Sequence, residues 1–357
     1  MSLDHQVRSS LFSSYRPALV KLSDNLIAAC FPLMKMYPAY LCLERAISCK
    51  LVGPDSLIVE SSSGTMALGL AIACRWRGYK LAIVSDNACD ARLVSRLAEL
   101  GATVDLVHSP AAVGGYQRAR LDRVEEICRT NKDSWWVNQY DNFANSEAYA
   151  TFAAQLVECI GGVDCLVGTV GSGGSVCGTA KCLRTLFPEL TVVGVDTFGS
   201  VLFGQPDAPR ALRGLGNSIL PKNLDHTVFD EVHWVTAAEA FTATRILHRE
   251  TGLLRGPTSG ACWLVARYWA KRHTPSRTIC LFPDEGWRYI DSVYSDTYMH
   301  QHELLLKSLP DHPREVHSAV DAGRAWSSMR WNRRTYDSIV SSLTLGPAHA
   351  TAISAFS

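Results

Sequence analysis

The run Cys165-Leu166-Val167-Gly168-Thr169-Val170, followed at once by Gly171-Ser172-Gly173-Gly174-Ser175, decides how this chain is read. A short apolar run bounded by glycine describes a strand buried on both faces, as in a parallel sheet. A helical pattern follows near Thr179–Phe187. A glycine-rich turn between a strand and a helix lets backbone N–H groups approach an anion closely, and its serines add hydroxyl donors. Two readings stand for it, a phosphate cradle and a plain glycine turn. It is not a Walker loop, because no Gly-Lys-Ser/Thr follows. Its spacing also differs from the GxGxxG of dinucleotide sites.

The same alternation extends in both directions. Strands are expected at 56–60, 81–86 and 103–108, with helices after each; Gly101 sits where a C-terminal cap would. Further strands are expected at 190–196 and 278–284. Two series, 45–145 and 160–295, predict an α/β protein with two parallel-sheet lobes and a ligand cleft between them, at the carboxyl ends of the strands. The expected division is a smaller lobe over 45–150 and a larger one built from 12–44 plus 151–298. An extension follows over 299–357, partly helical and frayed at its end.

Composition narrows the function classes. Among 357 residues, 35 Lys and Arg face 34 Asp and Glu, for a net charge of +1, so no broad nucleic-acid or anionic-lipid footprint is expected. Apolar residues make up 47 %, enough for large cores, and no apolar run of about 18 residues predicts a membrane span. Residues 1–10 lack the apolar stretch of a secretory signal. The twelve cysteines form no Cys-x-x-Cys pair and mostly sit in apolar runs, so they read as buried thiols in a reducing cytoplasm. No zinc spacing is present, and His300 and His302 read as surface residues. Arg330, Trp331, Arg333 and Arg334 read as a solvated helix face, and the tryptophans as core or rim.

Two more loops leave strands and open helices or turns. Glu60-Ser61-Ser62-Ser63-Gly64-Thr65 offers N–H groups and hydroxyls to a carboxylate, or simply caps a helix. Pro283-Asp284-Glu285-Gly286-Trp287-Arg288-Tyr289 places acids at a strand end, where they could meet a ring nitrogen or cap the next turn.

Together these loops resemble the fold-type II pyridoxal-phosphate enzymes, the cysteine synthase and cystathionine β-synthase group. The resemblance runs over about 15–295. It rests on Leu19-Val20-Lys21-Leu22, the ESSSG loop, Asn138-Gln139-Tyr140-Asp141-Asn142 with Asn145, the GSGGS loop, Gly214-Leu215-Gly216, Gly256-Pro257-Thr258-Ser259-Gly260-Ala261 and PDEGWRY. Gly114-Gly115-Tyr116, NQYDN and Val195-Asp196 with Gly199–Gly204 resemble the branch that makes N-(2-amino-2-carboxyethyl)-L-glutamate from O-phosphoserine and glutamate, a source of 2,3-diaminopropionate for natural products. The resemblance implies pyridoxal phosphate held by Gly171, Ser172, Gly173, Gly174, Ser175, Thr65 and Asp284. It implies an amino-acid substrate held by Ser62, Ser63, Gly64, Gln139 and Gly214. It also implies a homodimer.

One departure matters. The family's N-P-x-x-S-x-K-x-R carries the lysine that holds the cofactor; laid on Tyr37-Pro38-Ala39-Tyr40-Leu41-Cys42-Leu43-Glu44-Arg45, it puts leucine at the lysine position. Leu43 can neither form an imine nor move a proton. Asp284, where the family usually has serine, would favour a protonated pyridine. Lys35, on the apolar run before the helix, is the better stand-in for the missing amine, and Lys50 is too far for a simple swap, since a seven-residue shift along the helix is about 10 Å. Glu44, Lys35, Cys42 and Tyr140 are the candidates to move protons if the cofactor is held without a covalent link. Three functions follow: an amino-acid enzyme of altered mechanism, with the cofactor bound without a covalent link or arriving as a preformed imine with the amino acid; an inactive homologue that binds ligand or regulates an active partner; or a repurposed enzyme that uses the cleft without this cofactor.

Overall fold

A computed structural model describes residues 12–87 and 89–339; the expected signal-free start and frayed tail fall outside them. The chain enters through a hairpin, β1 (Ala18–Lys21) and β2 (Leu26–Cys30), and passes into helix α1 (Met36–Ser48). Then follow β3 (Leu57–Ser61), α2 (Thr65–Arg77), β4 (Lys80–Asp86), α3 (Ala91–Glu99), β5 (Ala102–Val107), α4 (Gly115–Thr130) and β6 (Ser134–Trp136). Helices α5 (Ala144–Glu147) and α6 (Ala150–Ile160) lead into the second series. That series runs β7 (Cys165–Thr169), α7 (Gly174–Arg184), β8 (Thr191–Thr197), β9 (Glu231–Val235), α8 (Ala237–Thr251), α9 (Pro257–Arg272) and β10 (Thr278–Phe282). The extension holds α10 (Asp296–Gln301), β11 (Arg314–Glu315) and β12 (Ser327–Arg330).

Two sheets result, an eight-stranded one ordered β1-β2-β10-β7-β8-β9-β12-β11 and a four-stranded one ordered β5-β4-β3-β6. Strands β2, β10, β7, β8 and β9 run parallel, with β7 in register at Thr278↔Cys165 on one side and Cys165↔Thr191 on the other. Strands β7 and β10 are buried along their whole length, which is why the sequence shows runs rather than alternation there. Helix ends are stopped by side chains and glycines as the chain's chemistry dictates. Thr236 and Glu239 form a reciprocal capping box on α8, and Gly252 ends it in the left-handed conformation.

Three features differ from the sequence expectation. The hairpin β1–β2 and strand β9 lie outside the expected strands: LIAAC and EVHWV are short runs, the first rich in alanine and the second opened by glutamate, residues that strands disfavour. Helix α1 runs unbroken across 44/45, and its Met36, Ala39, Leu43 and Ala46 belong to the smaller lobe's core with Ile58 and Leu70. The extension is no appendage: β12 pairs antiparallel with β9, Ser328 opposite His233, and lengthens the large sheet. Trp331 is fully buried there against Phe203, at a ring distance of 5.1 Å, so the Arg330–Arg334 cluster is a turn after a strand rather than a helix face.

Seven of the twelve cysteines are buried, as the apolar runs foretold, while Cys49 and Cys159 are exposed. Trp263 and Trp269 lie in the core, and Trp287 is exposed. His300 and His302 are exposed. Among the described residues no helix is long and apolar enough to cross a membrane, and no His, Cys, Asp and Glu group is arranged to hold a metal.

Candidate active site

The Gly171–Ser175 turn leaves the carboxyl end of β7 and opens α7, so α7's free N–H groups face whatever the turn encloses. Gly173 has φ +82°, and a Cβ there would lie 2.6 Å from Leu224 Cα, so only glycine fits. At Gly174 a Cβ would fall 2.5 Å from Asn145 Oδ1. The Gly214 backbone packs on the turn, and Asn217 Nδ2 donates to Gly171 O at 3.3 Å. The turn is therefore a preorganised, backbone-lined cradle.

Lys35 stands at the amino end of α1, directly after the segment tied to the end of β10 by Met34 N–H donating to Pro283 O at 2.7 Å. From there its Nζ reaches the cradle, 3.2 Å from Ser172 Oγ. Burial pulls the Lys35 ammonium down to about 8, opposed by the negative charge of Glu60. Glu60, fully buried at the end of β3, accepts from Ser61 N at 2.7 Å and Gln139 N at 3.1 Å. Burial pushes its carboxyl up to about 7 despite those bonds.

The ESSSG loop divides its labour. Ser62 Oγ accepts from Gly64 N at 3.2 Å and Ala67 N at 3.1 Å, so that hydroxyl caps α2. Ser63 Oγ instead accepts from Arg120, 3.0 Å away, and the same guanidinium is paired with buried Asp86 at 2.9 Å. The Gln139 side chain donates to Ser61 O at 2.9 Å and holds the loop from the opposite side. Thr65 is the first residue of α2. On the other lobe Arg213, next to Gly214, lies within electrostatic range of Asp86 and Arg120; it makes no ion pair or hydrogen bond among the described residues.

At the end of β10, Asp284 is buried and accepts from the Tyr289 hydroxyl at 2.6 Å, while its other oxygen has no partner. Burial raises its carboxyl. Near it in the chain fold, Gly256 abuts Asp284 and Tyr289, and three residues further along α9 the buried Ser259 hydroxyl is also unpartnered. Glu285 continues into an exposed turn whose Gly286–Tyr289 forms a single 3-10 turn.

The remaining sequence candidates separate. Leu43 is fully buried in the smaller lobe's apolar core, two turns along α1 from Lys35. Glu44 is paired with Arg77 on the neighbouring helix. Cys42 is buried with its thiol pushed up to about 12, chiefly by burial and then by Glu60. Tyr140 is close to Arg120, and burial raises its phenol. Ser175 lies one residue inside α7.

Arg120 and Arg213 were missed, and Ser259 was read only as part of the 256–261 motif. Arg120 sits in a charged helix, and only its pairing with Asp86, 34 residues away, reveals it. A cavity of about 500 Å³ lined by Asp164, Thr191 and Glu231 lies at the opposite, amino-terminal ends of the large-sheet strands and belongs to none of this.

The residues present fit a phosphorylated ring with an aldehyde. Close packing of the glycine turn on Gly214, Leu224 and Asn145 fixes the shape of the cradle, an amine lowered toward neutrality reaches it, and unpartnered Asp284 and Ser259 oxygens await a polar edge. Comparison with known proteins agrees. Residues 34–284 match the family described as pyridoxal-phosphate dependent enzyme. A relative from Cupriavidus metallidurans, named N-(2-amino-2-carboxyethyl)-L-glutamate synthase, is 37 % identical over 74 % of this chain and 80 % of its own length. One of the same name from Ralstonia nicotianae is 34 % identical over 79 % and 87 %. A solved hydrogen sulfide-producing enzyme from Fusobacterium nucleatum superposes with a TM-score of 0.70 at 26 % identity, covering 76 % of this chain and 96 % of that one.

Proposed function

This chain belongs to the pyridoxal-phosphate dependent enzymes, and within that family we propose that it catalyses β-replacement, joining the three-carbon unit of an activated serine such as O-phosphoserine to an amine such as glutamate. We further propose that Lys35, rather than any residue at position 43, is the amine that holds the cofactor. One observation carries this reading: the Lys35 Nζ, lowered toward neutrality by burial, stands 3.2 Å from the serine of the glycine cradle. An inactive homologue has no need of a desolvated amine at that place, and burying an ammonium that forms no ion pair among the described residues is costly.

The cofactor, when bound, supplies an electron sink that acidifies the substrate's α-carbon and lets a β-substituent leave. The chain's own residues do the rest. Gly171–Gly174 would hold the phosphate with backbone N–H groups at the start of α7. Ser63 and Gly64, on a loop kept in shape by Ser62 and Gln139, would take the substrate carboxylate. Lys35 Nζ can accept a proton and return it, because its proton affinity lies near neutral pH.

Arg120 is paired with Asp86, and Arg213, on the other lobe, lies in the field of that carboxylate without an ion pair of its own. The surplus positive charge suits an anion in the cleft, first a departing phosphate and then an acidic acceptor. The position of Asp284 suits a polar contact with the cofactor ring.

The test is covalent trapping. Purified protein is loaded with pyridoxal phosphate, reduced with borohydride, digested and mapped by mass spectrometry. Attachment at Lys35, absent from Lys35→Ala, supports the reading. Attachment at another lysine, or tight cofactor retention with no attachment, removes it.

A further inference from the structure

Ser172 is the one hydroxyl of the cradle on which two donors converge. Lys35 Nζ approaches its Oγ at 3.2 Å and Asn145 Nδ2 at 3.3 Å. A serine hydroxyl has two acceptor lone pairs and one proton to give. With both lone pairs engaged, the proton must point elsewhere, and no carbonyl or carboxylate among the described residues accepts it; once Lys35 is committed to the cofactor, Asn145 is the donor of the two that remains.

Asn145 is itself held rigidly for this task. It is fully buried in short helix α5, and its Nδ2 also donates to Gln139 O at 2.6 Å. Its Oδ1 presses against Gly174, at the point where any side chain would collide, and has no partner. An unpaired buried oxygen costs stability, so packing alone does not favour an amide here.

We propose that Asn145 is a positioning residue: by donating to Ser172 Oγ it turns the Ser172 hydroxyl proton into the cradle, making the serine a committed donor to a bound phosphate. The proposal rests on the cradle holding a phosphorylated cofactor. Without the amide, the serine can rotate to donate into protein, and its contribution to phosphate binding is lost. Asn145 touches neither phosphate nor substrate; its effect passes through Ser172.

The experiment is a double-mutant cycle on the full chain, with Asn145→Ala, Ser172→Ala and the pair. Binding of pyridoxal phosphate and of pyridoxal, its phosphate-free counterpart, is measured by equilibrium titration. Gln139 O keeps a second donor, Asn223 Nδ2 at 3.0 Å, so Asn145→Ala is expected to fold; Asn145→Ser serves if it does not. A lost hydrogen bond to a charged group corresponds to about tenfold or more in affinity.

Asn145→Ala is therefore expected to weaken pyridoxal phosphate by about that factor, to leave pyridoxal unchanged, and to have no further effect once Ser172 is alanine. Equal loss for both ligands, or losses that add in the double variant, would overturn the proposal while leaving the enzyme reading intact. Wild type with no preference for the phosphorylated ligand would overturn both.

Discussion

The reactivity of Lys35 can be worked out in advance. An ordinary lysine, with a pKa of 10.5, is about 0.03 % neutral at pH 7; one lowered to about 8 is about 9 % neutral, a gain of about 300-fold in the form that can attack an aldehyde. The sign is fixed by the cause. Burial disfavours the ammonium, so the neutral amine gains ground as pH rises toward 8, and little more is gained above it. The rate of covalent loading, followed by stopped-flow absorbance at saturating pyridoxal phosphate, should climb about tenfold per pH unit below 8 and then level off. Glu60 makes a second, opposite demand. Its negative charge holds the Lys35 proton, so Glu60→Gln should move the plateau to lower pH and speed loading at neutrality. A loading rate still rising tenfold per unit up to pH 10, or a Lys35→Ala variant that loads like wild type, would refute the reasoning. A Glu60→Gln profile shifted to higher pH would show that the carboxylate acts only through the backbone groups it binds.

Three further outcomes are expected. Arg213→Ala should raise the KM for O-phosphoserine by about tenfold while leaving an uncharged O-acylserine nearly untouched, since only the former presents a second anion to the cleft; steady-state kinetics on both donors decides it. Leu43→Lys should gain no covalent cofactor and lose about 4 kcal/mol or more of stability in denaturant titration, because the new ammonium would be buried among Met36, Ile58 and Leu70. Trp331→Ala should cost about 3–5 kcal/mol by the same measurement, since the indole fills a fully buried site between the extension and Phe203. A loss below 1 kcal/mol would mean that the extension adds little to the large lobe.

Much of the architecture was legible because buried parallel strands write themselves as unbroken apolar runs, and because glycines mark where the backbone must turn at the strand ends. CLVGT and TICLF emerge as strands within a residue or two of their predicted places, and GSGGS opens the helix it was expected to open. The amine is harder, and helix geometry explains why. A motif laid on Pro38 and Arg45 sets its lysine at 43, yet Met36, Ala39, Leu43 and Ala46 recur at three- and four-residue steps and form the stripe that α1 buries against the smaller lobe. A residue on that stripe cannot also face the cleft. The residue just ahead of the helix is free of its periodicity, and tethering of Met34 to the end of β10 aims Lys35 at the cradle. The roles of Arg120 and Asn145 were beyond sequence reasoning for a related cause: each takes its role from a partner far along the chain, Asp86 for the arginine and Ser172 for the asparagine. What local pattern reveals in this protein is therefore the scaffold and its anion-binding turns, while the proton-handling and orienting groups are set by where separate elements meet. The paired variants Lys35→Ala and Leu43→Lys test that division, since a motif read along the chain and a site read across it assign the cofactor to different residues.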